Sequence, residues 1–167
     1  MSSLKNYAAL IKEKGGKVVV DEAPIEESLK DNEVLIKVES VALNPIDIYT
    51  QRHGAFIKQY PSTTGYDLAG VVVKLGPNLD ESFLRQNIKV GDRVTAFPPQ
   101  FVTGENRHAA FQKYSTVWAH ATSKVPDNVN AESASTVAIC VATAAAGLFD
   151  SNHLNIKRPD PKTKGHY

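Results

Sequence analysis

The sequence holds one cysteine, one methionine and one tryptophan in 167 residues. Cys140 alone excludes an internal disulfide and a multi-cysteine zinc site, and its alanine and valine neighbours suggest a small core residue. His53, His108, His120, His153 and His166 form no i,i+4 pair and no His-x-x-Glu-His run. They read as lone surface histidines, although spacing does not exclude a zinc site assembled from distant residues. No apolar run reaches membrane-spanning length, and the start "MSSLKNYAAL" lacks the apolar core of a secretory signal, so no membrane partner and a cytoplasmic location are expected. Charge is nearly balanced at +1, with 19 basic residues scattered along the chain. That argues against nucleic acid, whose binders concentrate Lys and Arg on one face. No Gly-x-Gly-x-x-Gly or Gly-x-x-Gly turn leads into a helix, so a phosphate cradle of that kind is missing.

What is present is β-rich. Tyr7 to Lys12 and Lys17 to Val20 are strand-like runs joined by Lys14-Gly15-Gly16, a hairpin signal. "EVLIKVESV" alternates, with Val34, Ile36 and Val38 on one face and Leu35, Lys37 and Glu39 on the other, as in a half-buried strand. In "NPIDIYTQR", Asn44 is a potential helix cap, Pro45 suits the first helical position and Asp47 the positive N-terminal end. A short helix from Pro45 to about Arg52 follows. Leu68 to Val73 is a strand, "IKVGDRVTAF" a strand, turn and strand, "FPPQFVTGENRH" a loop, and "AAFQKYSTV" a strand again. From Asn130 the chain turns helical, with room for two pieces, and Ala134, Ala138, Ala142 and Ala145 recur at a spacing that permits close packing. The tail "NIKRPDPKTKGHY" reads as a linker. The predicted fold is mainly β: a partly open β-barrel with short helices and a helical C-terminal segment, with one domain over residues 1–150 and a tail over 151–167.

The polar residues have structural readings of their own. Asn44 serves equally as a helix cap, Asp47 as a first-turn dipole partner, Tyr66 and Asp67 as turn and packing residues, and Thr143 as a hydroxyl bonded back within its helix.

Taken in order, "VALNPIDIY", "TGYDLAGVVVKLG", "VGDRV", "AAFQKYSTV" and "TAAAGLF" resemble the N-terminal GroES-like catalytic domain of medium-chain dehydrogenases/reductases. The likeness leans to the zinc-independent branch of quinone reductases, fungal trans-acting enoyl reductases and toxin-cluster oxidoreductases, and spans about residues 5–165. In zinc enzymes of that superfamily, Gly-His-Glu stands where this chain has Gly65-Tyr66-Asp67, and a cysteine ligand stands near Asn44. The resemblance therefore implies no zinc, because Asn44 and Tyr66 are poor primary ligands.

It further implies hydride transfer from NADPH to an enoyl, enone or quinone substrate. The catalytic candidates are Asn44, Tyr49, Asp67 and Tyr60; the cofactor-binding candidates are Asn44 and Thr143. Phe56 stands where some enoyl reductases carry a tyrosine acid, so Tyr60 or solvent would supply the proton. The quinone-reductase pattern Asn-x-x-Asp-x-Tyr-x-Arg is matched by Asn44, Asp47 and Tyr49, with Gln51 replacing the arginine. A nucleotide-binding Rossmann domain would follow near Tyr167. Without one, an excised half-enzyme of little activity, a non-catalytic GroES-like binding or assembly module, and a site completed by a second chain or a homodimer all remain open. Each would expose apolar surface, much of it in segment 134–148.

Overall fold

The computed structural model describes residues 4–159. The first strands, β1 (Asn6–Ile11) and β2 (Val18–Ala23), form an antiparallel hairpin. Next come β3 (Glu33–Val41), α1 (Pro45–His53), β4 (Ser62–Thr63) and β5 (Leu68–Leu75). The chain continues through α2 (Glu81–Arg85), β6 (Arg93–Ala96), α3 (Gln100–Thr103), β7 (Tyr114–Trp118) and β8 (Thr122–Lys124). It closes with α4 (Ala131–Ala134) and α5 (Ala138–Phe149). One sheet has the order β7-β3-β5-β6-β8, the other β2-β1-β4. They join where Ala9 N–H donates to Phe111 O and Lys113 N–H donates to Tyr7 O, both at 2.9 Å. The result is the expected mainly β, partly open GroES-like barrel with short helices.

The barrel core gathers Val34 and Ile36 of β3, Leu68 and Val72 of β5, Val94 and Ala96 of β6, and Val117 of β7, with Phe83 of α2 as its largest plug. Each such burial contributes about 1.5–3 kcal/mol for the larger side chains. β3 and β5 pack so closely that a Cβ on Gly70 would overlap the Lys37 carbonyl oxygen. That contact explains the glycine inside a valine-rich strand.

β3 departs from a simple half-buried strand. Glu33, Val34, Leu35 and Ile36 are all buried, because β3 lies between β5 and β7 and this end is covered on both faces. Register shifts at Leu35/Ile36 and Val38/Ser40 break the alternation further. The buried Glu33 carboxylate receives two charge-assisted hydrogen bonds from Arg107, at 2.6 and 3.0 Å, and one from Lys30 N–H at 2.8 Å. His108 Nε2 lies 3.2 Å from Glu33, and its ring is 2% exposed. His108 is thus an interior residue, against the surface position expected of it. Burial, reinforced by the Arg107 charge, pushes its pKa down and favours the neutral imidazole. This cluster ties the 105–108 turn to β3. The segment read as loop also contains α3, and "AAFQKYSTV" becomes regular strand only at Tyr114.

The C-terminal helical region is in two pieces. Asn130 Oδ1 accepts Ser133 N–H at 2.8 Å and caps α4, whose Ala131 and Ala134 pack with Ala69 and Val125. After a break at residues 135–137, α5 has no buried residue. Ala138, Ala142 and Ala145 therefore have no tight partner within the chain, and Cys140 is exposed rather than a core residue. The stretch Ala131–Phe149 is, by length and a mean hydropathy of 1.4, apolar enough to cross a membrane, which corrects the expectation that no such run exists. Residues 151–159 carry a turn and then no regular structure, while the end of the expected linker lies outside the described residues.

Candidate active site

Three chain segments converge beside the barrel mouth: the start of α1, the residues leading into β5, and the first turn of α5. Gly65, at φ 101°, directs the chain into β5, and a Cβ there would run into the Phe111 ring. The two ionisable residues that follow are almost completely buried, Tyr66 at 1% and Asp67 at 0% exposure.

Asp67 spans all three segments. Its Oδ2 accepts Asn44 Nδ2–H at 3.0 Å, and its Oδ1 accepts Ile139 N–H at 2.8 Å. Asn44 occupies the N-cap position of α1, where its side chain takes part in a capping box while its Nδ2 reaches out to Asp67. Asp47 supplies the reciprocal half of a capping box, its Oδ2 accepting Asn44 N–H at 2.6 Å. Its Oδ1 is buried with no hydrogen-bond partner. Burial raises Asp47 to about 6; the Asn44 N–H pulls the other way and the Asp67 charge adds to the rise. Burial likewise raises Asp67, against the Ile139 and Asn44 hydrogen bonds that favour its charged form.

Tyr66 enters a second polar cluster. Its hydroxyl donates to Gln100 Oε1 at 3.2 Å and lies 3.3 Å from Thr50 Oγ1. Burial, eased by Thr50 and reinforced by the Asp47 charge, raises the phenol pKa. Thr50 and Gln100 carry no signal at sequence level: one is a helix residue among polar neighbours, the other follows two prolines. Only the tertiary fold brings them to Tyr66.

Two recesses flank this floor. One, of ≈ 190 Å³, is apolar and lined by Ile46, Phe56, Tyr66, Phe97, Phe101, Ile139 and Thr143. The other, an open recess of ≈ 530 Å³, is lined by Asn44, Pro45, Ile46, Ile139, Cys140, Thr143 and Ala144. Thr143 borders both. Of the residues expected at the site, Asn44, Asp67 and Thr143 are brought together. Tyr49 is 53% exposed, with its ring 4.7 Å from the His53 ring, and it lines neither recess. Tyr60 also lies away from them; its hydroxyl sits over Gly54. The aromatic wall of Phe97 and Phe101, stacked at 5.3 Å, is a feature sequence reasoning missed.

Where the resemblance would set zinc ligands, this chain has Asn44 and Tyr66, neither of them a usual primary ligand. Asn44 and Asp67 are committed to each other, and Tyr66 is committed to Gln100. Among the described residues, no three His, Cys, Asp or Glu side chains are grouped to hold a metal ion.

Residues 30–127 match the Alcohol dehydrogenase GroES-like domain family. The zinc-binding alcohol dehydrogenase domain-containing protein cipB of Emericella nidulans is 32% identical over 152 residues, 90% of this chain and 46% of the relative. The trans-enoyl reductase tazE of Aspergillus terreus is 37% identical over 139 residues, 82% of this chain and 45% of the relative. Among solved structures, an alcohol dehydrogenase superfamily protein from Novosphingobium aromaticivorans superimposes with a TM-score of 0.72 at 26% identity, covering 87% of this chain and 42% of that one. A mycobacterial quinone oxidoreductase gives 0.68 at 28% identity, covering 93% and 44%. A mycobacterial protein solved with NADPH gives 0.64 at 28% identity over the same shares. The chain thus spans less than half the length of these relatives. The family match and the antiparallel barrel agree: this chain belongs to the alcohol dehydrogenase GroES-like domain family, and it resembles fungal dehydrogenases and trans-enoyl reductases.

Proposed function

We propose that the chain is the substrate-side half of a zinc-independent, NADPH-dependent reductase acting on an enoyl, enone or quinone substrate in the cytoplasm. The observation that carries this reading is an open recess lined by Asn44, which buried Asp67 holds, and by Thr143, which also lines the adjoining apolar recess. NADPH, when bound, supplies the hydride. Asn44 is held at the open recess because its Nδ2 is committed to Asp67. Thr143 offers a hydroxyl where the two recesses meet. Phe56, Phe97 and Phe101 line the smaller recess and favour a flat apolar group there. Solvent supplies the proton, since Tyr49 and Tyr60 do not reach this recess.

In this reading the pyrophosphate is held by a nucleotide-binding domain outside these 167 residues, and the uncovered α5 is where that domain docks. The test is NADPH titration, followed by Trp118 fluorescence and calorimetry, for the chain alone and for the chain fused after residue 167 to a Rossmann domain. Saturable micromolar binding and oxidation of NADPH by an enone or quinone are expected of the fusion, and weak or no binding of the chain alone. In the fusion, Asn44→Ala and Thr143→Ala should each lower kcat/KM by about 10- to 100-fold. A fusion that binds NADPH yet reduces none of these acceptors would overturn the reading.

A further inference from the structure

β2 is an edge strand, and every residue from Val18 to Glu22 on it is exposed, Val20 at 77%. Its inner side is paired with β1, in a register that sets Tyr7 opposite Glu22 and Ala9 opposite Val20. Tyr7 O and Ala9 N–H are engaged on the far side of β1, with Lys113 and Phe111. In an antiparallel ladder, residues opposite such positions point their own N–H and C=O away from the shared seam. Val20, Glu22 and, two residues earlier, Val18 therefore present backbone groups to the outside. Glu22 N–H is already satisfied, since Asp21 Oδ1 accepts it at 2.9 Å. Val18 and Val20 are left as the open positions.

The sequence around them, Lys17-Val-Val-Val-Asp21, is complementary to itself when reversed. Two copies laid antiparallel about Val19 would place Val18 opposite Val20 of the other copy, in the hydrogen-bonded type of pair, on both sides of the axis. The same register sets Lys17 opposite Asp21, twice, in the closer non-hydrogen-bonded type of pair. Val18 and Val20 of both copies would share one face, continuous with an apolar surface groove of ≈ 580 Å³ that Tyr7, Val41 and Leu43 also line. Beyond the Glu22 N–H, Asp21 meets Lys12 at 3.6 Å, with both side chains more than half exposed. Lone edge strands usually carry charges that repel a second copy; here the charges favour one register.

We propose that β2 is a self-pairing edge, and that its occupant is β2 of a second copy of this chain. The dimer is an isologous two-fold in which the two three-stranded sheets merge, through β2, into one six-stranded sheet. It is independent of the reductase reading.

The test is sedimentation equilibrium of the full chain across a concentration series. The chain is expected to dimerise. Lys17→Asp and Asp21→Lys should each weaken the dimer by roughly tenfold, and the double reversal should restore it, because the pairing is reciprocal. Val20→Pro, which deletes an outward N–H on an exposed edge, should give a monomer with unchanged circular dichroism. Val141→Glu on α5 should leave the dimer intact. A chain that stays monomeric at every concentration overturns the proposal. So does a dimer indifferent to the charge reversals, or one abolished by Val141→Glu.

Discussion

Asn44 and Asp67, 23 residues apart in sequence, are joined by a 3.0 Å hydrogen bond that ties the N-cap residue of α1 to the entry of β5. The bond turns a local helix-capping residue into a long-range tie. Through Ile139 N–H on the other carboxylate oxygen, it also anchors the first turn of α5.

Replacing Asp67 by alanine should leave the Ile139 N–H and the Asn44 amide without acceptors. A loss of about 2 kcal/mol is expected, because unsatisfied buried donors cost about 1–3 kcal/mol each while removal of a buried carboxyl returns part of that. Urea unfolding would measure the loss, and hydrogen exchange should show the Ile139 amide exchanging faster. Unchanged protection at Ile139 would argue against the tie.

Asp47 should make stability depend on pH in the direction opposite to most carboxylates. Its folded pKa, raised to about 6 chiefly by burial, exceeds the ordinary 3.8. The folded state therefore holds this proton more tightly than the unfolded chain does. That contribution is full below about pH 4 and is lost as pH rises through about 6. Relative to wild type, Asp47→Asn should gain up to about 3 kcal/mol between pH 4 and pH 7. Paired urea titrations at the two pH values would show a flat difference if Asp47 titrated normally.

Tyr66→Phe should remove one hydroxyl and leave Gln100 and Thr50 facing each other without it, at a cost of about 1–2 kcal/mol. Burial also holds the Tyr66 proton above the ordinary tyrosine range. In an alkaline absorbance titration, the step missing from the variant should be a late one. Loss of an early step instead would mean that Tyr66 is open to solvent.

Arg107→Met should strand the buried Glu33 carboxylate and cost about 3 kcal/mol, with Glu33→Gln in the same chain recovering part of it. Burial opposes the charged form of Glu33, but Lys30 N–H, Arg107 and His108 together hold its pKa below the ordinary value. Wild type should thus lose stability as pH falls below about 4.5 toward that lower value. The arginine variant should lack this acid-side loss, which thermal unfolding between pH 3 and pH 6 would resolve.

The barrel was legible wherever local chemistry agreed with the fold. Valine-rich alternation marked β3 and β5, the Gly15-Gly16 turn marked the first hairpin, and Pro45 marked the start of α1. The errors were of a different kind. Cys140 and the alanines of α5 look like core residues, yet among the described residues nothing buries them fully. His108 looks like a surface residue, yet it closes a charge cluster with Glu33 and Arg107, 75 residues away from that glutamate. Periodicity reports which face of an element is apolar, and it does not report whether that face finds a partner.

The same division runs through the site. The sequence by itself determined the family likeness and the presence of Asn44, Tyr66 and Asp67 where the resemblance would set cysteine and histidine. Only the tertiary structure decided that Asn44 reaches Asp67 as well as its own helix, that Gln100 and Thr50 receive Tyr66, and that Tyr49 and Tyr60 stay outside the recesses. The reason is physical: residue type and spacing fix which bonds are possible, while burial fixes which must be made, because an interior polar group has no water to fall back on.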